Sequence, residues 1–503
     1  MPPATGAATA RPASPWTRAL TQVGARWLPF ADAATAELPL GRLLRLGLFQ
    51  VTVGAALTLL TGTLNRVMIV ELRVPASVVG WMLALPLFVA PFRALVGHRS
   101  DVYASVLGWR RVPYVWFGTM LSWGGLAILP FALILLSGDT HGSRAAAVAA
   151  SGLAFFLVGA GMHTTQTAGL ALATDLAPAS ARPRVVALLY LMLLVGTLAS
   201  AVAFGLALRN FSQVRLIQVI QGTAVVTLAL NVVALWKQEP RRPMTRAEVA
   251  AAPRPPFAAR WRAFVGAGRA ARLLAAVGLG TFAFNLQDVL LEPYGGEVLH
   301  LSVAGTTALT ALFSAGMLAA FGVSARALEA GRDPIRVAAA GVGCGMLGFV
   351  AVIFASPLAD VTLFRVGSAL IGFGEGCFAV GTLTSAMGLR AASDGLPSDG
   401  RASDEHGIAV GAWGAVFATS EGAALALSGV VKDALASLVH RGVLTGGMAA
   451  PSVPYSVVYH AEVGLLFATL VALGPLVARR VRAALPDAAG PRPRFGLAEL
   501  PGG

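Results

Sequence analysis

Twelve stretches of this 503-residue chain are each long and apolar enough to form a helix across a bilayer. A hydrocarbon core about 30 Å thick takes about 20 residues of α-helix. The stretches fall at 45–70, 77–97, 113–136, 145–173, 185–208, 214–236, 272–292, 303–325, 336–355, 361–388, 407–431 and 456–478. Inside a bilayer only helices and closed barrels satisfy their own backbone hydrogen bonds. Continuous apolar runs of this length exclude a barrel. The expected fold is therefore all-α and integral to the membrane. Composition agrees, with 56% of residues hydrophobic and 12% charged, against about 25% charged in a soluble domain. Spans four, ten and eleven are long enough to tilt or to project from the bilayer.

The charges orient the spans. Of 38 Lys and Arg residues, 29 fall in the two tails and the even-to-odd loops, and 7 in the opposite loops. Positive residues stay on the cytoplasmic side, so both termini are expected there. The net charge of +14 is read as this topological signal and not as a nucleic-acid surface. The N-terminal tail lacks a short apolar core with a cleavage site, so no signal peptide is expected. Cys344 and Cys377 lie within apolar runs, which argues against a disulfide framework or a metal cluster.

The layout divides into a tail with an interfacial segment at 1–44, a six-span bundle at 45–236, a basic linker at 237–271, a second six-span bundle at 272–478 and a tail at 479–503. From Lys237 to Arg272 there are nine basic residues and five prolines, and "FAARWRAF" from Phe257 suggests a short interfacial helix suited to anionic lipid. The halves are related. "SVVGWMLALPLFVAPFRALVG" from Ser77 matches "SVAGTTALTALFSAGMLAAFG" from Ser302 at an offset of 225 residues. Gly108, Gly118 and Gly125 match Gly331, Gly341 and Gly348 at an offset of 223. Small residues let membrane helices pack closely. Six spans repeated in parallel is the layout of the major facilitator fold.

The stretch "RALVGHRSDVYASVLGWRRVPYVWFGT" from Arg93 to Thr119 concentrates charge between spans two and three. It resembles the loop motif of major facilitators through Arg93, Gly97, Asp101, Gly108, Trp109, Arg110 and Arg111. About five extra residues separate Asp101 from Gly108, and Val102 follows the aspartate where a base is usual. In the second half Arg326 stands at the aspartate position. A structural role in the loop, a conformational latch and a partner contact remain open for these arginines.

The same departures are the resemblance to a narrower family. This stretch, "LPFADAATAELPLGRLLRLGLFQV" from Leu28, "GTLNRVMIVEL" from Gly62, "LPFALILLSGD" from Leu129 and "GAGMHTTQTAGLALATDLAP" from Gly159 resemble the PucC/LhaA proteins, the bacteriochlorophyll delivery family. The resemblance covers almost the whole chain and leans toward the LhaA branch. It implies an assembly factor for light-harvesting complexes in the bacterial inner membrane, including intracytoplasmic photosynthetic membrane. The implied cofactor is bacteriochlorophyll, with carotenoid undecided. The implied partners are the antenna α/β polypeptides, with the reaction centre and enzymes of bacteriochlorophyll synthesis as further candidates, besides membrane lipid.

Polar groups inside the bilayer need a partner or a task. On span one, Gln50, Gly54, Thr61 and Asn65 recur at helical spacing as a polar stripe, with Arg66 beside it. Asn285, Asp288 and Glu292 share one face of span seven. Arg66 is expected to pair with Asp288 or Glu292 across the centre. His163 and Gln166 share a small, polar face of span four, and Glu375 and Glu421 lie within spans ten and eleven. The magnesium of a bacteriochlorophyll accepts one axial ligand, for which His163, Asn65 and Gln166 have suitable chemistry. Interhelical hydrogen bonds are the alternative use of the same side chains. No P-loop, HExxH or nucleophile–base pair is evident, so no enzyme is expected. Three functions compete: an assembly factor with large apolar lateral faces, a transporter of a porphyrin-like or other amphipathic solute with an enclosed polar site, and a structural antenna subunit that stays in the mature complex.

Overall fold

A computed structural model of the chain describes residues 38–87, 109–137, 143–178, 182–239, 268–388, 402–443 and 451–477. Arg93, Gly97, Asp101, Gly108, the "FAARWRAF" segment and the tail residues 1–37 and 479–503 lie outside these described residues. Twelve helices follow in chain order. They are α1 (Leu40–Glu71), α2 (Ala76–Leu87), α3 (Val112–Ser137), α4 (Arg144–Leu176), α5 (Arg182–Ala207) and α6 (Gln213–Leu235), then α7 (Gly268–Glu297), α8 (Val303–Glu329), α9 (Pro334–Ala355), α10 (Val361–Gly388), α11 (Ala402–His440) and α12 (Val453–Leu476). Among the described residues, eleven helices are long and apolar enough to cross a membrane. The remaining one, α2, is described as far as Leu87.

Local chemistry starts several helices where the sequence changes from polar to apolar. Ser143, Ser212 and Ser302 each accept a bond from the backbone N–H three residues on, at 3.1–3.2 Å. Asp333 accepts from Ile335 N at 2.8 Å, with Pro334 as the first helical residue of α9. Such caps satisfy donors that a helix start leaves orphaned, and Pro at the first position removes one of them.

The helices alternate in direction. The end where α1, α3, α7 and α9 begin is called proximal here, and the end where α1 finishes is distal. The repeat seen in the sequence recurs as packing. A Cβ on Gly118 of α3 would stand 2.6 Å from the Gly161 carbonyl of α4, and one on Gly341 of α9 would stand 2.5 Å from the Gly374 carbonyl of α10. Gly125 and Gly348, one position of the repeat further on, press against Val158 and Ile371 of the same two partners. The pairs α3–α4 and α9–α10 are thus the same close crossing in each half.

Between the halves, α5 packs on α8 and α2 packs on α11. Gly80 of α2 sits under the Leu425 carbonyl of α11, where a Cβ would come to 2.5 Å. At the distal end the Asp433 carboxylate of α11 accepts the backbone N–H groups of Ala76 and Ser77 at 3.3 and 2.8 Å, which caps α2 from the opposite half.

Because the two glycine crossings are equivalent, Gly118→Leu and Gly341→Leu should each lower stability by about 1–3 kcal/mol, the usual cost of overpacking. Thermal unfolding of the purified protein in detergent checks this. A full loss in one half with no effect in the other contradicts the equivalence.

Candidate functional site

Three groups of polar side chains are built into the bundle. The first lies at the proximal end and accounts for part of the arginine-rich loop. Glu239, just past α6, reaches the start of α3. Its Oε1 accepts Arg110 N at 2.7 Å and its Oε2 accepts Val112 N at 2.9 Å, with Arg111 N shared at 3.1 Å. The carboxylate therefore caps α3, where negative charge is favoured. The Arg110 and Arg111 side chains both reach Asp175 at the end of α4, at 3.1 and 3.0 Å. The exit of α6 is itself held by α1. Arg42 donates to the Gln238 side chain at 3.0 Å and to its carbonyl at 2.6 Å, and Arg45 donates to the Trp236 carbonyl at 2.9 Å. The partners named here, among the described residues, all belong to the N-terminal half. Arg110 and Arg111 thus join α3 to α4 and α6, and neither Asp175 nor Glu239 was singled out from the sequence.

The second group joins α1 to α7. From Thr58 to Leu64 and again from Val67 to Glu71, α1 is π-helical. Opposite it, α7 breaks into a 3-10 turn at Leu286–Val289. The Asn65 amide donates to the carbonyls of Asp288 and Val289 at 2.9 and 3.1 Å, so it answers backbone acceptors at the break. Arg66, 4% exposed, pairs with Glu71 and donates to the Leu301 carbonyl at 3.1 Å. The expected ion pair of Arg66 with Asp288 or Glu292 is not formed. The cause is the π-helix, which brings residues five apart onto one face and so delivers Glu71 to Arg66. Glu292 stays within electrostatic reach of Arg66 but accepts from Thr310 instead, while Asp288 accepts from Gln287.

The stripe read along span one does not face a single neighbour. Gln50 receives the Gln166 amide of α4 at 3.3 Å. Gly54 packs against the Leu193 carbonyl of α5, and Asn65 faces α7. His163, one turn before Gln166, is 8% exposed. A macrocycle lying on an imidazole needs an open face, and His163 offers none in this conformation. Asn65 is fully buried and Gln166 is 8% exposed, so the same holds for both. These residues do not fit a bacteriochlorophyll ring as they are packed.

The third group is acidic and lies in the C-terminal half. Asp288, Glu375, Glu421 and Glu462 interact electrostatically across α7, α10, α11 and α12. Asn285 donates to Glu375 at 3.5 Å. Glu462 is fully buried, and neither of its oxygens has a hydrogen-bond partner. It sits at the C-terminal side of "YSVVYHAEVGLLF" and carries no helical repeat that would single it out in the sequence. Among the described residues, no three His, Cys, Asp or Glu side chains are grouped to hold a metal ion.

Outside these groups the lateral surface is apolar and aromatic. A groove of about 500 Å³ between α2 and α4 is lined by Val78, Trp81, Leu85, Leu153 and Phe156. On α3, Trp116, Phe117, Trp123 and Phe131 are exposed, Phe131 by 67%.

Comparison with known proteins places the chain. The family model described as PUCC protein matches residues 63–481. The chain belongs to the PucC family. An uncharacterised protein of the puhA–bchM intergenic region of Rhodobacter capsulatus is 52% identical over 96% of this chain and 99% of its own length. Protein PucC of Rhodovulum sulfidophilum is also 52% identical, over 83% of this chain and 90% of its own. These similarities do not distinguish the LhaA branch from the PucC branch. The fold is the major facilitator fold. The crystal structure of PepTSo, a transporter of the POT family, superposes with a TM-score of 0.60 over 86% of this chain and 97% of its own, at 13% identity.

Two substitutions test the polar groups. Asn65→Ala leaves two carbonyls at the break of α7 without their donor and should cost about 1–3 kcal/mol, read as a lowered unfolding temperature. Glu462→Leu removes a buried acid that lacks a partner and should raise it by a similar amount. A Glu462→Leu protein less stable than the parent contradicts the unpaired state of this carboxylate.

Proposed function

We propose that this protein is a membrane assembly factor for bacterial light-harvesting complexes. It presents bacteriochlorophyll to antenna α/β polypeptides and performs no covalent step itself. The observation that carries the reading is the PucC family match over residues 63–481. The lateral surface supports it, because a partner consisting of single apolar helices needs an apolar, aromatic wall to lie against. Trp and Phe side chains bury large area at low conformational cost. In this reading pigment lies at that lateral wall, which is consistent with the close packing around His163, Asn65 and Gln166. The reaction centre and enzymes of pigment synthesis are further partners of the same kind. The working membrane is the bacterial inner membrane, intracytoplasmic photosynthetic membrane included.

One observation favours a second reading. Broken helices at the interface between repeats, with charged groups beside them, are where many transporters bind solute. The break in α7 beside Asp288 and Glu292 has this form. The second reading is a transporter of a porphyrin-like or other amphipathic solute.

Gently solubilised protein separates the two. The assembly role is expected to give bacteriochlorophyll absorption and antenna polypeptides in the purified fraction. His163→Leu should leave that absorption intact, whereas the pair Trp81→Ala and Phe156→Ala should lower both pigment and polypeptide several-fold. Saturable solute flux in pigment-free vesicles, with no antenna polypeptide recovered, establishes the transporter instead.

A further inference from the structure

A cavity of about 780 Å³ opens at the proximal end of the C-terminal half, between the ends of α7, α8, α9, α10 and α12. It is separate from the polar groups described above. Its mouth carries Arg269 at the start of α7 and Arg332 and Arg336 around the start of α9, all three exposed. One acid, Asp333, stands among them, and its carboxylate is engaged in capping α9 through Ile335 N at 2.8 Å. The N-terminus of α9 opens on the same mouth and adds to its positive potential.

Below the mouth the lining turns apolar, through Leu273, Val323, Phe373 and the thiols of Cys344 and Cys377. The lining runs along α9 from Pro334 to Cys344, ten residues, or about 15 Å at 1.5 Å per residue. Along α10 it runs from Ser385 to Phe373, a similar depth. The cavity is therefore a deep slot parallel to the helices, cationic at the mouth and greasy at the base. Its volume lies within the range of about 300–1,000 Å³ typical of small-molecule sites.

We infer that this slot binds an anionic phospholipid, with the phosphate at Arg269, Arg332 and Arg336 and one acyl chain running inward between α8, α9 and α10. Charge complementarity selects the head, since guanidinium groups bind phosphate through paired N–H donors. The apolar depth selects the tail, because a free phosphate gains nothing from it.

Native mass spectrometry of the full chain, from nanodiscs of phosphatidylcholine with and without phosphatidylglycerol, tests this. One phosphatidylglycerol is expected to survive release from the nanodisc in preference to phosphatidylcholine. The pair Arg332→Gln and Arg336→Gln should weaken its retention about 30-fold, at the strength usual for two basic side chains near a lipid surface. Ala340→Phe fills the slot from an exposed position without changing charge, and should abolish retention as well. Three results overturn the inference: equal retention of the two lipids, displacement of the lipid by inorganic phosphate alone, or loss in the arginine variants with Ala340→Phe unaffected. The last identifies adsorption to a charged surface.

Discussion

The break in α7 and its repair by Asn65 are the contact on which the rest of the interior depends. A backbone carbonyl that leaves its helical partner inside a bilayer has no water to turn to, and each such group costs several kcal/mol. The 3-10 turn at Leu286–Val289 creates that debt, and the Asn65 amide answers it from the opposite half. The two six-helix halves are thereby joined near the distal end by a bond that the membrane makes expensive to leave. The cap of α2 by Asp433 and the close crossing at Gly80 reinforce the same end.

The proximal end is organised differently. There, Glu239, Asp175, Arg110 and Arg111 tie helices within the N-terminal half. Exposed ion pairs such as that of Arg110 contribute little, about 0–1 kcal/mol, so the capping of α3 by Glu239 is the stronger part of the network. The C-terminal half has its arginines around an open slot instead. The two halves share helix packing but not the chemistry of their proximal loops, as the exchange of an aspartate for Arg326 suggests.

Much of the fold was legible because the bilayer simplifies the code. Apolar length marks spans, and the glycines at 118 and 341 or 125 and 348 mark equivalent crossings without reference to coordinates. What escaped were departures from the ideal helix. A period of 3.6 residues places Arg66 toward α7, whereas the π-helical turn hands it to Glu71. Gln50, Gly54 and Asn65, read as one stripe, meet three different neighbours. Asp175 and Glu239 were hidden for another reason. They lie 64 and 128 residues from Arg111, and only tertiary packing brings them to one point. Glu462 reads as one isolated acid in an apolar run, and its acidic neighbour Asp288 comes from another helix.

A protein that presents cargo at its side needs a firm body, while a transporter must open its two halves in turn. The contacts at Asn65, Asp433 and Gly80 close the distal end in this structure, and the assembly reading requires them to stay closed. Pulsed electron-electron spin resonance between labels at Leu206→Cys and Val443→Cys, exposed sites at the distal ends of the two halves, measures this directly. The account requires a single narrow distance, unchanged by added amphipathic solute. A second, longer population that grows with the solute contradicts it.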